Sequence, residues 1–160
     1  MDTEQFIDNF KFSGARGYAT DGDIRLIQDF LSDHSESAKL WNFCGDVIQL
    51  SDSDPSDYTL NDARICYETA VEKFPNDAEG YESLGFWHDV HGNLVDSEKY
   101  FRLAIQRTDS DTPKLGIARV FAELGRVNDG LAMLDECKDQ ASLDLKSLRD
   151  EINEGIWSPE

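Results

Sequence analysis

Residue size recurs along this chain at separations of 34 and then 33 positions, and that recurrence constrains the fold more than any single residue does. Ala63, Ser97 and Gly130 share one register and are small. Tyr67, Phe101 and Leu134 share a second and are bulky, while Ala70, Ala104 and Cys137 form a third that is small again. No charge enters any of the three. Small residues alternating with large ones at helical intervals, over a repeat of this length, indicate stacked helix pairs, each relying on its neighbours to cover its apolar face. The small slots let helix backbones approach to about 8–10 Å, and the large ones fill the holes opposite.

The apolar spacing predicts where those helices lie. Residues 1–20 are mixed: Phe6, Phe10 and Phe12 offer an apolar edge, but Gly14 and Gly17 interrupt it, so a loosely attached arm is expected. From Asp21 the signal firms, with Ile24, Ile27, Phe30 and Leu31 on one face and Asp21 or Asp23 as the expected cap. A second helix spans about 35–50, with Leu40, Trp41, Cys44, Val47 and Ile48 on its inner side. Further helices are expected over 60–73, 78–90, 94–107, 113–124, 127–138 and 142–154. Pro75 stops one of them, and Asn76 or Asp77 can cap the next. Gly92 and Gly125 each close a first helix, where a left-handed residue is wanted. These elements group into units of about 38–77, 78–110 and 111–140 with a capping helix at 142–155, one domain over 21–157. Gly45 to Ala63 is six residues longer than Gly85 to Ser97 or Ala118 to Gly130. The acidic, serine-rich stretch Ser51–Asp57 is therefore an insertion inside one helix pair, where neither stacking face is disturbed. β-Branched alternation is absent, so no strand is expected, and the fold class is all-α.

Charge narrows the partners. Against 33 Asp and Glu stand 15 Lys and Arg, a formal net charge of -18. That field repels phosphate backbones and anionic lipid and favours basic partners, although acidity also simply keeps a chain soluble. Neither nucleic-acid binding nor membrane insertion is expected, since no apolar run approaches the roughly 20 residues needed to span a bilayer. Met1–Phe10 carries three acidic residues and does not read as a secretory signal. The three cysteines, Cys44, Cys66 and Cys137, are widely spaced among helical apolar positions and are expected to pack as small hydrophobes. A reducing cytoplasm suits them.

At residue level the pattern resembles the tetratricopeptide repeat family. The clearest unit reads Tyr81, Leu84, Gly85, His88 and Gly92, followed by Ser97, Phe101 and Ala104. The preceding unit supplies Trp41, Cys44, Gly45 and Ile48, then Ala63, Tyr67, Ala70 and Pro75. The following unit supplies Ile117, Ala118, Phe121 and Gly125, then Gly130, Leu134 and Cys137. His88 stands where an aromatic is usual, and Asp109 where a closing proline often stands. The resemblance covers about 38–140 and implies a right-handed solenoid of antiparallel helix hairpins, with an N-terminal half-repeat and a C-terminal capping helix.

The resemblance also implies a non-catalytic adaptor that holds a peptide in a groove lined by first helices. Carried over by register, the groove residues are Lys39, Asn42, Asp46 and Gln49, then Glu79, Glu82, Phe86 and Asp89, then Leu115, Arg119 and Glu123. One branch of the family clamps a terminal carboxylate with lysines and asparagines at these slots. Asn42 fits that scheme, but Asp46 and Glu82 oppose it by like charge. An acidic groove with an aromatic platform at Phe86 or Trp87 suits a basic or amphipathic segment. The alternative is a dedicated chaperone, or an immunity-like neutraliser, of a single client. No cofactor is implied. His88 and His91 could share a helix face, but a metal site needs at least three ligands and His88 holds a core slot. The chain carries no phosphate loop, nucleophile elbow or paired-cysteine motif, so catalysis is not expected.

Overall fold

Helices form here where side chains satisfy the backbone groups that a helix end leaves open. The computed structural model describes all 160 residues and carries nine α-helices and no strand. Its contacts gather the chain into two compact units, residues 1–80 and 81–160.

The first unit contains α1 (Thr3–Asn9), α2 (Asp21–Asp33), α3 (Ala38–Gln49) and α4 (Leu60–Lys73). The cap of α2 is Thr20 rather than either aspartate. Asp23 is its reciprocal partner, its carboxylate accepting from Thr20 N at 2.9 Å while Thr20 Oγ1 accepts from Asp23 N at 3.3 Å. Residues 1–20, expected as a loose arm, are instead tied down. Arg16 and Gly17 adopt positive φ and turn the chain, so one of the two interrupting glycines also redirects it. The Phe6 ring stacks on Phe30 at 3.9 Å, and Phe10 meets Phe43 edge-on at 5.6 Å. Ala19 N donates to Leu50 O and Asp52 N to Ala19 O, at 3.0 and 3.1 Å.

The insertion between α3 and α4 folds onto α2. Asp21 accepts from Asp57 N and Ser56 Oγ, both at 2.7 Å, which holds its carboxyl below the usual range. Tyr58 OH donates to Gln28 at 2.8 Å.

The second unit contains most of α5 (Glu79–Val90), then α6 (Leu94–Ile105), α7 (Thr112–Glu123), α8 (Val127–Asp135) and α9 (Leu143–Asn153). Gly92 and Gly125, at φ +75 and +77, end α5 and α7 as their spacing predicts. Asn93 N reaches back to His88 O at 2.9 Å and Arg126 N to Phe121 O at 2.7 Å, closing the helix ends. The helix α8 stops before the expected Lys138, because Asp111 accepts from the amides of Lys138 and Asp139 at 2.9 Å each.

Phe101 organises this unit. It is wholly buried, and a Cβ on Gly85 of α5 or on Gly116 of α7 would lie 2.7 or 2.5 Å from its ring. Ser97, in the small register, donates to Gly85 O at 2.8 Å, so the two helix backbones of that hairpin are joined directly. In the first unit Tyr67 fills the same role against Gly45, 2.5 Å from the Cβ a larger residue would bring. Of the aromatics expected in the core, Phe101 and Phe121 are buried, whereas Trp41 is only half-buried and donates its indole N–H to Ser35 O at 3.0 Å.

Alanine is favoured over glycine in a helix by about 1 kcal/mol, but overpacking a filled core costs about 1–3 kcal/mol. Gly116→Ala is therefore expected to lower stability in urea unfolding. Phe101→Leu in the Gly116→Ala background should cost less than it does alone. A Gly116→Ala midpoint equal to wild type contradicts the contact.

Candidate functional site

Five of the expected groove residues lie in the first unit. Asn42 is buried on α3, with Nδ2 donating to Ala38 O at 2.9 Å and Oδ1 buried without a partner. One turn on, Asp46 accepts from Tyr67 OH at 2.7 Å, and Gln49 Nε2 donates to that same hydroxyl at 2.6 Å. Asp46 is solvent-exposed, yet the protein atoms around its carboxyl remove enough hydration to push it above the ordinary range despite the tyrosine. Glu79, also exposed, is shifted the same way by lost hydration and by the nearby charges of Asp77 and Asp46, with Lys39 opposing. Lys39 Nζ also stands 3.6 Å from Glu4. The cluster is thus an anionic site short of counter-charge.

The other groove residues fall in the second unit, and there the geometry differs from the expectation. Asp89 is buried and ion-paired with Arg119, so it offers no open negative charge. Glu123 lies 3.7 Å from Arg119 Nε on the same helix. Glu82 is half-buried on α5 and does not line the recess described next.

That recess has a volume of about 380 Å³ and lies among α5, α7 and α9. Its apolar walls are Phe86, Leu115, Leu148 and Trp157, with Gly116 also on its lining. Phe86 is held edge-on against Phe101 at 4.8 Å. Trp157 is fixed by its indole N–H, which donates to Glu151 Oε2 at 2.8 Å, and the Arg119 guanidinium sits 5.2 Å from its ring centroid. Ser147 donates to the other Glu151 oxygen at 3.1 Å. Asp144 stands exposed at the edge.

Sequence register finds Phe86, Leu115 and Arg119 but misses the α9 side of the recess. Leu145, Leu148 and Ile152 read as one apolar stripe. Only Leu145 and Ile152 are buried, leaving Leu148 half-exposed at the opening.

His88 and His91 are engaged separately: His88 stacks on Tyr100 at 5.3 Å and His91 on Trp87 at 3.9 Å. No helix is long and apolar enough to cross a membrane.

No protein-family model and no curated protein matches the sequence. Solved structures do match in fold. A thermophilic TPR protein of Thermus thermophilus aligns with a TM-score of 0.66 at 16% identity, over 84% of this chain and 71% of that one. The MamA protein aligns with a TM-score of 0.60 at 17% identity, over 85% and 78%. The chain has a tetratricopeptide-like fold, an all-α solenoid of antiparallel helix hairpins.

The raised Asp46 carboxyl gives a signed pH test. Its ionised form is disfavoured in the folded state, so at pH 7 the charge opposes folding. The penalty disappears as pH falls through the raised value to the unfolded one near 4. Asp46→Asn keeps an acceptor for Tyr67 and removes the charge. It should be more stable than wild type at pH 7, with the difference shrinking to nothing in acid. An equal difference at both pH values would exclude the burial effect.

Proposed function

We propose that this chain is a non-catalytic adaptor that holds a segment of another protein, and that the segment is amphipathic, with an apolar anchor flanked by Lys or Arg. The observation behind this reading is the α5–α7–α9 recess, where four apolar side chains face an opening bordered by Asp144 and Glu151. The guanidinium at that site is already engaged by Asp89 and Glu123, so it does not offset the outer carboxylates. A Leu or Phe side chain entering the recess would exchange water for Phe86, Leu115, Leu148 and Trp157, while a neighbouring ammonium or guanidinium would meet the acidic rim. Asp46 and Glu79 offer a second anionic site within the first unit, where a basic residue would relieve the destabilised charges. Lys39 and Gln49, of the same groove register, flank the first unit's anionic site in this reading. The partner is a protein rather than nucleic acid or lipid, as the net charge of -18 favours. Three unpaired thiols accord with a cytoplasmic location.

Labelled peptides with a central Leu, flanked by Lys in one series and Glu in the other, test this directly. The Lys series should bind and the Glu series should not. Leu148→Glu should weaken binding about 10-fold or more, roughly 1.4 kcal/mol. Asp144→Lys should weaken it less and flatten its salt dependence. Equal binding of both series, or a Leu148→Glu variant that binds like wild type, overturns the reading.

A further inference from the structure

Away from the recess, two thiols meet in the first unit. Cys44 on α3 and Cys66 on α4 are 1% and 7% exposed, so neither is a surface thiol. Both line a cavity of about 330 Å³ walled by Leu31 and Trp41 and bordered by Gln28 and Ser32. A water-sized molecule takes about 30 Å³ of liquid volume, so the cavity has room for a small polar reagent beside the two sulfurs. Cys44 and Cys66 share one wall of that cavity, close enough for their thiols to influence each other. That proximity favours the thiolate at Cys44 and, together with burial, disfavours it at Cys66. One sulfur is thus prepared to attack while the other keeps its proton. Cys137 is also buried but faces no second thiol, and its Sγ lies 3.7 Å from Met133 O.

We propose that Cys44 and Cys66 are a peroxide-oxidisable dithiol that closes to an intramolecular disulfide joining α3 to α4. The oxidant is a hydroperoxide, most simply hydrogen peroxide. The Cys44 thiolate attacks one peroxide oxygen, the O–O bond breaks, and the departing hydroxide takes up a proton to become water. The Cys66 sulfur then attacks the resulting sulfenic sulfur of Cys44. The S–O bond breaks, and hydroxide leaves with the Cys66 proton as a second water. Two thiols and one peroxide become one disulfide and two waters; the sulfurs together lose two electrons and the O–O bond gains them. A thiol reductant reverses the closure. The linkage spans the hairpin whose first helix carries Asp46 and Gln49, so it staples the element bearing the first unit's anionic site.

The test uses the full native chain treated with hydrogen peroxide, quenched with an alkylating agent and digested without reduction. A Cys44–Cys66 linked peptide, an intact-mass decrease of about 2 Da and a fall from three free thiols to one are expected. Cys137→Ser should give the same linked peptide. Cys66→Ser should instead leave Cys44 as a sulfenic acid that dimedone captures. The wild-type result alone decides, so a poorly folding variant does not obscure it. Three thiols remaining, oxygen addition without a linked peptide, or linkage through Cys137 or between chains overturns the proposal.

Discussion

An aromatic ring seated on a glycine is the contact on which the rest of this structure depends. Phe101 fills the space left by the missing side chains of Gly85 and Gly116, and Tyr67 does the same against Gly45. Because each glycine admits a ring at van der Waals distance, neighbouring helices come close enough for direct polar contact. Ser97 reaches the Gly85 carbonyl, and the Tyr67 hydroxyl reaches Asp46 on the facing helix. At Gly130 the same economy of space brings the Ala118 carbonyl within 2.8 Å of where a Cβ would stand. The apolar fit therefore comes first, and the polar groups that could serve recognition are positioned by it.

Phe86 illustrates how packing becomes a site. Its ring stands against Phe101, whose own position is fixed by two glycines, so the recess wall inherits the rigidity of the core. On the opposite side Trp157 is held by Glu151, which is itself held by Ser147. A pocket with both walls fixed in advance loses little entropy when it is filled. The buried Asp89–Arg119 pair contributes by fixing the guanidinium, not by presenting charge.

The hairpins are legible in the sequence because their determinants are local: a small residue, a ring one turn on, a glycine at the helix end. Gly92 and Gly125 are clear cases, since only the left-handed conformation needed there explains both at the same repeat position. The recess is half legible. Phe86, Leu115 and Arg119 follow from register, but Asp89 and Arg119 pair across 30 residues, and nothing in register tells an open carboxylate from one already neutralised. Leu148 is hidden for a related reason, because an apolar stripe looks the same whether its neighbours cover all of it or only part. Phe6 and Phe10 read as a loose arm because the breaking glycines are visible in the sequence, while the distant rings of Phe30 and Phe43 that hold them are not.

The acidic excess itself divides into two populations with opposite energetics. Some carboxylates are embedded in backbone donors and sit at depressed pKa values. Asp21 takes the Asp57 amide, and Asp111 takes the amides of Asp139 and Lys138. Asp23 overcomes the cost of burial through the amides of Ser13 and Thr20. These charges favour the fold above the ordinary carboxylate range and lose that effect in acid. Asp46 and Glu79 are the reverse: lost hydration raises both, and the charges of Asp77 and Asp46 raise Glu79 further. Their ionised forms work against folding at neutral pH. A net charge of -18 alone is compatible with mere solubility. The carboxylates raised above their ordinary range lie on α3 and at the start of α5, while the lowered ones cap helices and fasten loops.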